Sequence, residues 1–329
     1  MRLPIPLRVA ALLVLVTPLV AQSKDSAPAS ATRTNSVIAR DGLAYVGQTG
    51  GMVIRDVSDP ARPVDVSWLP LPGAVSDVLV EGPHALLAAG TRGLVIVDIS
   101  DPAAPVEIAR LDTDGKVKRV ARAGDFAFLA DGTGGLLVVD LKVLDDPRVT
   151  ARISTSGDVR ALALNGDMLA LAEGHAGARV LSLRQPQNPR ELRKLNTDFP
   201  ARDVCWIDDR LFVAAGREGT AVYEPRVSSR PITFLPPVRS AQHVACGEHL
   251  VAVSNLGSAM QLFDVQGEDP PRERSRLRVH RSAPIGRANF VGSQLWIAVD
   301  VVGMGLLDLG DVDNPERVLP RTREFKVSY

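Results

Sequence analysis

An all-β fold, a seven-bladed β-propeller with about four antiparallel strands per blade, is predicted by three observations. A short apolar run ending in a polar or acidic residue recurs along the chain, its spacing lies in the low forties, and most copies carry their own turn residues. Aligned on the residue that ends the run, the copies fall at Asp56, Asp98, Asp140, Ser182, Glu224, Asp264 and Asp308, in steps of 42, 42, 42, 42, 40 and 44. A period of that size is one four-stranded blade. The runs lack the 3.6-residue periodicity of helical repeats.

The second copy is the clearest template. Ser76–Val80 is its first strand, Ala85–Ala89 its second, Leu94–Ile99 its third and Val106–Leu111 its fourth. Gly90-Thr91-Arg92-Gly93 turns the chain between the second and third strands, and Asp101-Pro102 opens the turn before the fourth. Glycine supplies positive φ in such corners and proline presets φ near −65°.

The other copies follow in order. Blade 1 uses Val37–Ala39, Leu43–Val46 and Met52–Val57; blade 3 uses Val117–Ala121, Phe126–Ala130 and Leu136–Leu141. Blade 4 has Ala161–Leu164, Met168–Ala172 and Arg179–Leu183; blade 5 has Val204–Ile207, Leu211–Ala215 and Ala221–Glu224. Blade 6 has His243–Cys246, Leu250–Ser254 and Met260–Val265, and blade 7 has Ala288–Val291, Leu295–Val299 and Leu306–Leu309. Asp-Pro or Asn-Pro pairs close most blades, at Asp59-Pro60, Asp146-Pro147, Asn188-Pro189, Asp269-Pro270 and Asn314-Pro315. The blades are bounded at approximately 35–73, 74–115, 116–157, 158–199, 200–240, 241–283 and 284–329. Ring closure has two readings: every blade is local, or Phe325–Tyr329 completes an end blade.

The motif GLVIVDISDP at Gly93–Pro102, with GLLVVD at Gly135–Asp140 and GMVIRDVSDP at Gly51–Pro60, resembles the LVIVD-repeat family of bacterial and archaeal secreted or surface proteins. The resemblance covers roughly residues 35 to 329 and departs in the later blades, where Ser182 and Glu224 replace the Asp. It implies a propeller outside the cytoplasm and names no common activity.

Export is expected independently. Arg2 and Arg8 precede the apolar run Val9–Val20, which is too short to span a bilayer core of ~30 Å and fits a secretory signal peptide over 1–21. Residues 22–34 are rich in Ser, Ala and Thr and read as a flexible leader. The mature chain is expected to carry no integral membrane segment and to be periplasmic, secreted or attached to the cell surface. Basic and acidic residues number 38 each, so nucleic acid is not an expected partner. Cys205 and Cys246 lie in first strands of adjacent blades. Counted back from Asp208 and Gly247 they sit at different heights, so two buried free thiols are favoured over a disulfide.

First strands of propellers line the central channel. One position there reads Val37, Asp77, Arg119, Ala161, Asp203, Gln242 and Arg287 around the ring, and the preceding position adds Lys118, Arg160 and Arg202. With His243, these polar residues form a candidate ligand-binding mouth, where charges of both signs orient a polar ligand. The alternative is that Asp77 with Arg119, and Asp203 with a flanking arginine, merely pair across neighbouring blades.

No catalytic residue, metal site or cofactor is assigned. His84, His175, His243, His249 and His280 have no short metal spacing, although His175 and His243 can reach one face. Asp112-Thr113-Asp114-Gly115 resembles the start of a calcium loop without its later ligands. Neither a Gly-x-Ser-x-Gly elbow nor a phosphate-cradling Gly-x-x-x-x-Gly-Lys occurs. The expected function is a binding or scaffold module for a protein or polar ligand. The alternative is an extracytoplasmic propeller enzyme, such as a metal-dependent hydrolase or a lactonase-like protein.

Overall fold

The computed structural model describes residues 33–236, 240–255, 257–267, 271–279, 283–300, 303–313 and 315–318. The expected signal peptide, Asp269-Pro270, His280, Asn314 and Phe325–Tyr329 lie outside them. The described residues form seven antiparallel sheets arranged as a seven-bladed propeller, without a helix; hence none is long and apolar enough to cross a membrane.

Each blade runs first strand to fourth in chain order. In blade 2 the strands are Asp77–Glu81, His84–Ala88, Leu94–Asp98 and Val106–Leu111. The third strand is apolar throughout because both of its faces are covered. Leu94 and Ile96 pack towards blade 3, against Leu129, Leu137 and Val139. Val95 and Val97 pack towards blade 1, against Met52 and Ile54. All four side chains are fully buried, each stabilising the ring by about 1.5–3 kcal/mol. The glycine that opens the motif is required: a Cβ on Gly93 would lie 2.0 Å from the Leu111 carbonyl oxygen, and one on Gly51 2.1 Å from that of Leu69.

Blade 1 holds its second and third strands in a single extended run, Leu43–Asp56. The run is a hairpin, since the Val57 N–H donates to the Gly42 carbonyl at 2.8 Å, whereas a straight strand of that length would separate its ends by over ~40 Å. Blade 5 keeps the predicted third strand at Thr220–Tyr223, but its fourth shrinks to Thr233–Phe234, between Pro231 and Pro236. Proline has no N–H to give the ladder.

Neighbouring blades are joined by backbone bridges. Gly90, Gly132, Gly174 and Gly216, each with φ between 57° and 62°, pair with Val117, Val159, Ala201 and Ala241 of the next blade. Val117 therefore serves the bridge, and the first strand of blade 3 begins at Arg119 rather than at Val117. The ring closes by packing, with Val37, Val46 and Val53 of blade 1 against Trp296, Ala298 and Leu306 of blade 7. Among the described residues every blade is local and no strand is exchanged between the termini.

Cys205 and Cys246 form a disulfide, with their Cα atoms 5.7 Å apart, so the expectation of two free thiols is wrong. The error lay in the register. Ile207 pairs with Arg210, and Gly247 pairs through its N–H with Leu250, so these two positions are equivalent. The cysteines are thus one residue out of phase rather than two. One residue inverts the face: Cys205 stands beside Phe212 facing blade 6, and Cys246 beside Val251 facing blade 5.

Candidate functional site

The first strands bring the predicted polar residues to the channel, in two layers. The residue nearer the mouth is Lys118, Arg160, Arg202 or Gln242 in blades 3 to 6. One residue further along come Asp77, Arg119, Ala161, Asp203, His243 and Arg287 in blades 2 to 7. Two assignments change. A bulge between Ala241 and His243 sets His243 opposite Ser254, as Asp203 is opposite Ala214, so His243 rather than Gln242 is the counterpart of Asp203. Val37, shifted by the bulge between Thr34 and Ser36, is buried in the seam with blade 7 and offers nothing to the channel.

The inner layer is one cluster. Arg119 Nη2 donates to Asp203 Oδ1 at 3.0 Å, and Arg119 Nη1 lies 3.7 Å from Asp77 Oδ1. Arg287 Nη1 stands 3.7 Å from that same oxygen, and its Nη2 donates to the Arg160 carbonyl at 3.4 Å. His243 Nδ1 is 3.2 Å from Asp203 Oδ2. Asp77 Oδ2 and Asp203 Oδ1 also accept the N–H groups of Val120 and Val204. Six blades meet through these contacts; blade 4 supplies only its Arg160 carbonyl, because Ala161 is fully buried in the core.

Asp203 is 1 % exposed. Burial alone would raise its pKa, but the Arg119 charge, the His243 hydrogen bond and Arg287 outweigh it and hold the carboxyl well below the usual range. For Arg119, Asp203 and Asp77 outweigh the burial that opposes its charge. Arg287 goes the other way: burial and the nearby Arg119 push it down to about 10. Asp77 and Arg119, expected to pair across neighbouring blades, stand 3.7 Å apart, whereas Asp203, expected to pair with a flanking arginine, takes its hydrogen bond from Arg119 two blades away.

Above this cluster lies a cavity of about 460 Å³. Lys118, Arg160, Arg202, Gln242, His243 and Arg287 line it, while Asp77, Arg119 and Asp203 do not. Lys118 and Arg160 share Asp158, Arg160 Nε standing 3.3 Å from its Oδ2. Arg202 Nη1 donates to Gln242 Oε1 at 3.1 Å and meets no carboxylate among the described residues. The turn glycines make room for these stems: a Cβ on Gly174 or Gly216 would lie 3.1 or 3.0 Å from the Nε of Arg160 or Arg202.

Sequence reasoning missed Arg33, Asp158 and Asp300 at the mouth and the buried acid Asp131; Glu173, noted beside His175, is a second buried acid. Asp131 accepts from the Thr113 hydroxyl at 2.7 Å and the Gly115 N–H at 3.0 Å, and Glu173 pairs with Arg179. Burial raises both pKa values. The signal was present, since Asp131 and Glu173 occupy the repeat position held by Ala89 and Ala215. Thr113 and Gly115 thus act in turn chemistry at Asp131. Among the described residues no group of three or more His, Cys, Asp or Glu converges as metal ligands; His175 and His249 are exposed on separate blades.

Solved structures share the fold at low identity. A computationally designed protein, Ika8, matches with a TM-score of 0.65 at 10% identity, over 83% of this chain and 82% of its own. PorZ, a surface component of the type-IX secretion system of Porphyromonas gingivalis, gives 0.65 at 12%, over 90% of this chain but 39% of its own. A chain of the COPII outer coat vertex gives 0.70 at 14%, over 86% of both. No curated protein matches the sequence. The family model described as LVIVD repeat matches residues 32–67, 72–113 and 114–142. These matches fall on the first two blades and on the first three strands of the third.

Proposed function

We propose that this chain is an exported binding module, a rigid ring that takes a polar ligand at its channel mouth without chemical change to it. The observation that carries this reading is the division of labour in the channel. The inner charges are largely spent on one another, whereas the polar wall of a cavity of about 460 Å³ lies open directly above them. A preformed concave site with a few convergent polar groups is what recognition requires, and loops on a rigid scaffold supply it without folding costs. Export is supported by the composition of residues 1–21 and by the Cys205–Cys246 disulfide, which belongs to oxidising compartments.

One observation favours an enzymatic second reading. Asp203 holds Nδ1 of His243, a residue that lines the cavity, and an imidazole so placed is able to exchange a proton with a ligand. One experiment separates the two: thermal unfolding of the mature protein against a panel of polar small molecules, followed by mass analysis of any that bind. A compound that raises the melting temperature, is recovered intact and loses its effect in Gln242→Ala supports the binding reading. Recovery of a converted product transfers the assignment to His243. Stabilisation indifferent to substitutions in the cavity moves the site elsewhere.

A further inference from the structure

The mouth has a charge imbalance that the whole chain lacks. Overall the protein is neutral. The channel groups joined above, with Arg33 and Asp300 on the rim 3.7 Å apart, comprise six cations, Arg33, Lys118, Arg119, Arg160, Arg202 and Arg287. Against them stand four carboxylates, Asp77, Asp158, Asp203 and Asp300. Among the described residues of the cavity lining the ratio is steeper, with five cations and the single carboxylate of Asp300.

The excess is concentrated and held in place. Lys118, Arg160 and Arg202 occupy one repeat position on three consecutive blades, so they form an arc. The Arg160 and Arg202 stems pass over the turn glycines Gly174 and Gly216, where a Cβ would crowd each Nε at 3.1 and 3.0 Å. Arg287 closes the far side. Its Nη1 is buried and has no hydrogen-bond acceptor among the described residues, although it lies 3.7 Å from Asp77. The lowered pKa of Arg287 records the same thing, a cation crowded by burial and by Arg119 with too little negative charge nearby. Arginine forks match carboxylate and phosphate oxygens in pairs, and the walls of a cleft focus the field of like charges lining it.

We infer that the channel mouth binds a compact dianion, a phosphate or dicarboxylate group gripped by Arg160 and Arg202 on one side and Arg287 on the other. The inference rests on the mouth being the binding face, and it names the class of ligand taken there. It predicts loss of affinity with rising ionic strength, since the site is open to solvent on one side.

The test is titration calorimetry on the mature protein in low-salt buffer, with inorganic phosphate, succinate and neutral maltose as separate probes. Wild type is compared with Arg160→Ala, Arg202→Ala and an outer-strand control, Arg148→Ala. Thermal unfolding of each variant checks that the fold is kept. Saturable binding of phosphate or succinate, weakened at least about tenfold by each mouth variant and unchanged by Arg148→Ala, is the expected result. Which of the two anions binds more tightly identifies the source of the oxygens. Maltose binding that depends on Arg202, with neither anion bound, would overturn the anion class and leave the mouth as the site. Anion binding indifferent to both mouth variants, or no heat from either anion, overturns the proposal outright.

Discussion

The two ends of the blades use the repeat in opposite ways. Where the third strand ends, Asp56, Asp98, Asp140, Asp264 and Asp308 each accept the N–H two residues on, at 2.8 to 3.0 Å. Ser182 does the same through its hydroxyl at 3.4 Å. At the channel, the equivalent position of blades 2 to 7 is Asp77, Arg119, Ala161, Asp203, His243 and Arg287, with no two neighbours alike. A residue repeated in register answers a need that each blade has alone, here the capping of a turn. A residue that varies in register answers to its neighbours across the ring. The first kind stabilises by parts, the second as a unit.

That distinction breaks most sharply at Asp203. Asp203→Ala leaves Arg119 facing only Asp77, at 3.7 Å, and takes the acceptor from His243 Nδ1. Removing one partner of a buried pair costs about 3–5 kcal/mol, measurable by denaturant unfolding at neutral pH. If the cluster acts as a unit, Arg119→Ala with Asp203→Ala costs less than the two single losses combined. A single-variant cost below about 1 kcal/mol would show that the layer is not coupled. The pH dependence has a definite sign. The Asp203 pKa is lowered on folding, so its contribution is complete above the ordinary carboxylate value of about 3.9 and disappears as pH falls through the folded value. The gap in stability between wild type and Asp203→Asn should therefore close in acid.

The disulfide gives the next largest effect. It joins residues 41 apart in sequence, and a loop of that size is worth about 2–4 kcal/mol. Cys205→Ser with Cys246→Ser should remove that much while the apolar seam of Phe212, Val251 and Phe263 keeps the blades packed. Wild type unfolded with reductant present should match the double variant. A wild-type midpoint untouched by reductant would place the stability of this seam in its packing alone.

Most of the ring was legible because each blade repeats its own instructions. The apolar run at Leu94–Val97, the glycine before it and the Asp after it state a buried strand, a close approach and a turn, and the structure contains all three. What escaped depended on phase between blades. The bulge at Ala241–His243 moved His243 into the place read for Gln242, and a turn starting one residue later brought the cysteines face to face. Neither shift leaves a mark in composition or spacing, since a one-residue slip preserves every motif. The channel residues were found by counting, as was the approach of Arg119 to Asp77; the hydrogen bond of Arg119 was not, because it reaches past blade 4 to Asp203. Asp158 and Asp300 belong to loops for which the repeat template sets no expectation.

The smallest effects sharpen the comparison by their opposite slopes with pH. At the end of the third strand, the Ser100 N–H holds the Asp98 pKa below its ordinary value, and that of Ser58 does so for Asp56. Both contributions are present at neutral pH and fade as pH falls through the folded values. Asp98→Ala and Asp56→Ala should each lose a small and similar increment, a fraction of the Asp203 effect, and the loss should vanish in acid. Near the mouth Glu173 behaves in reverse, because burial raises its pKa in spite of Arg179. Folding then favours the protonated acid, so stability falls as pH rises from the ordinary value to the folded one. Glu173→Gln should flatten that fall. If Asp98 and Glu173 variants instead changed the acid branch of the stability curve in the same direction, the contrast between turn and mouth would fail where it is most local, in the desolvation of a single carboxyl.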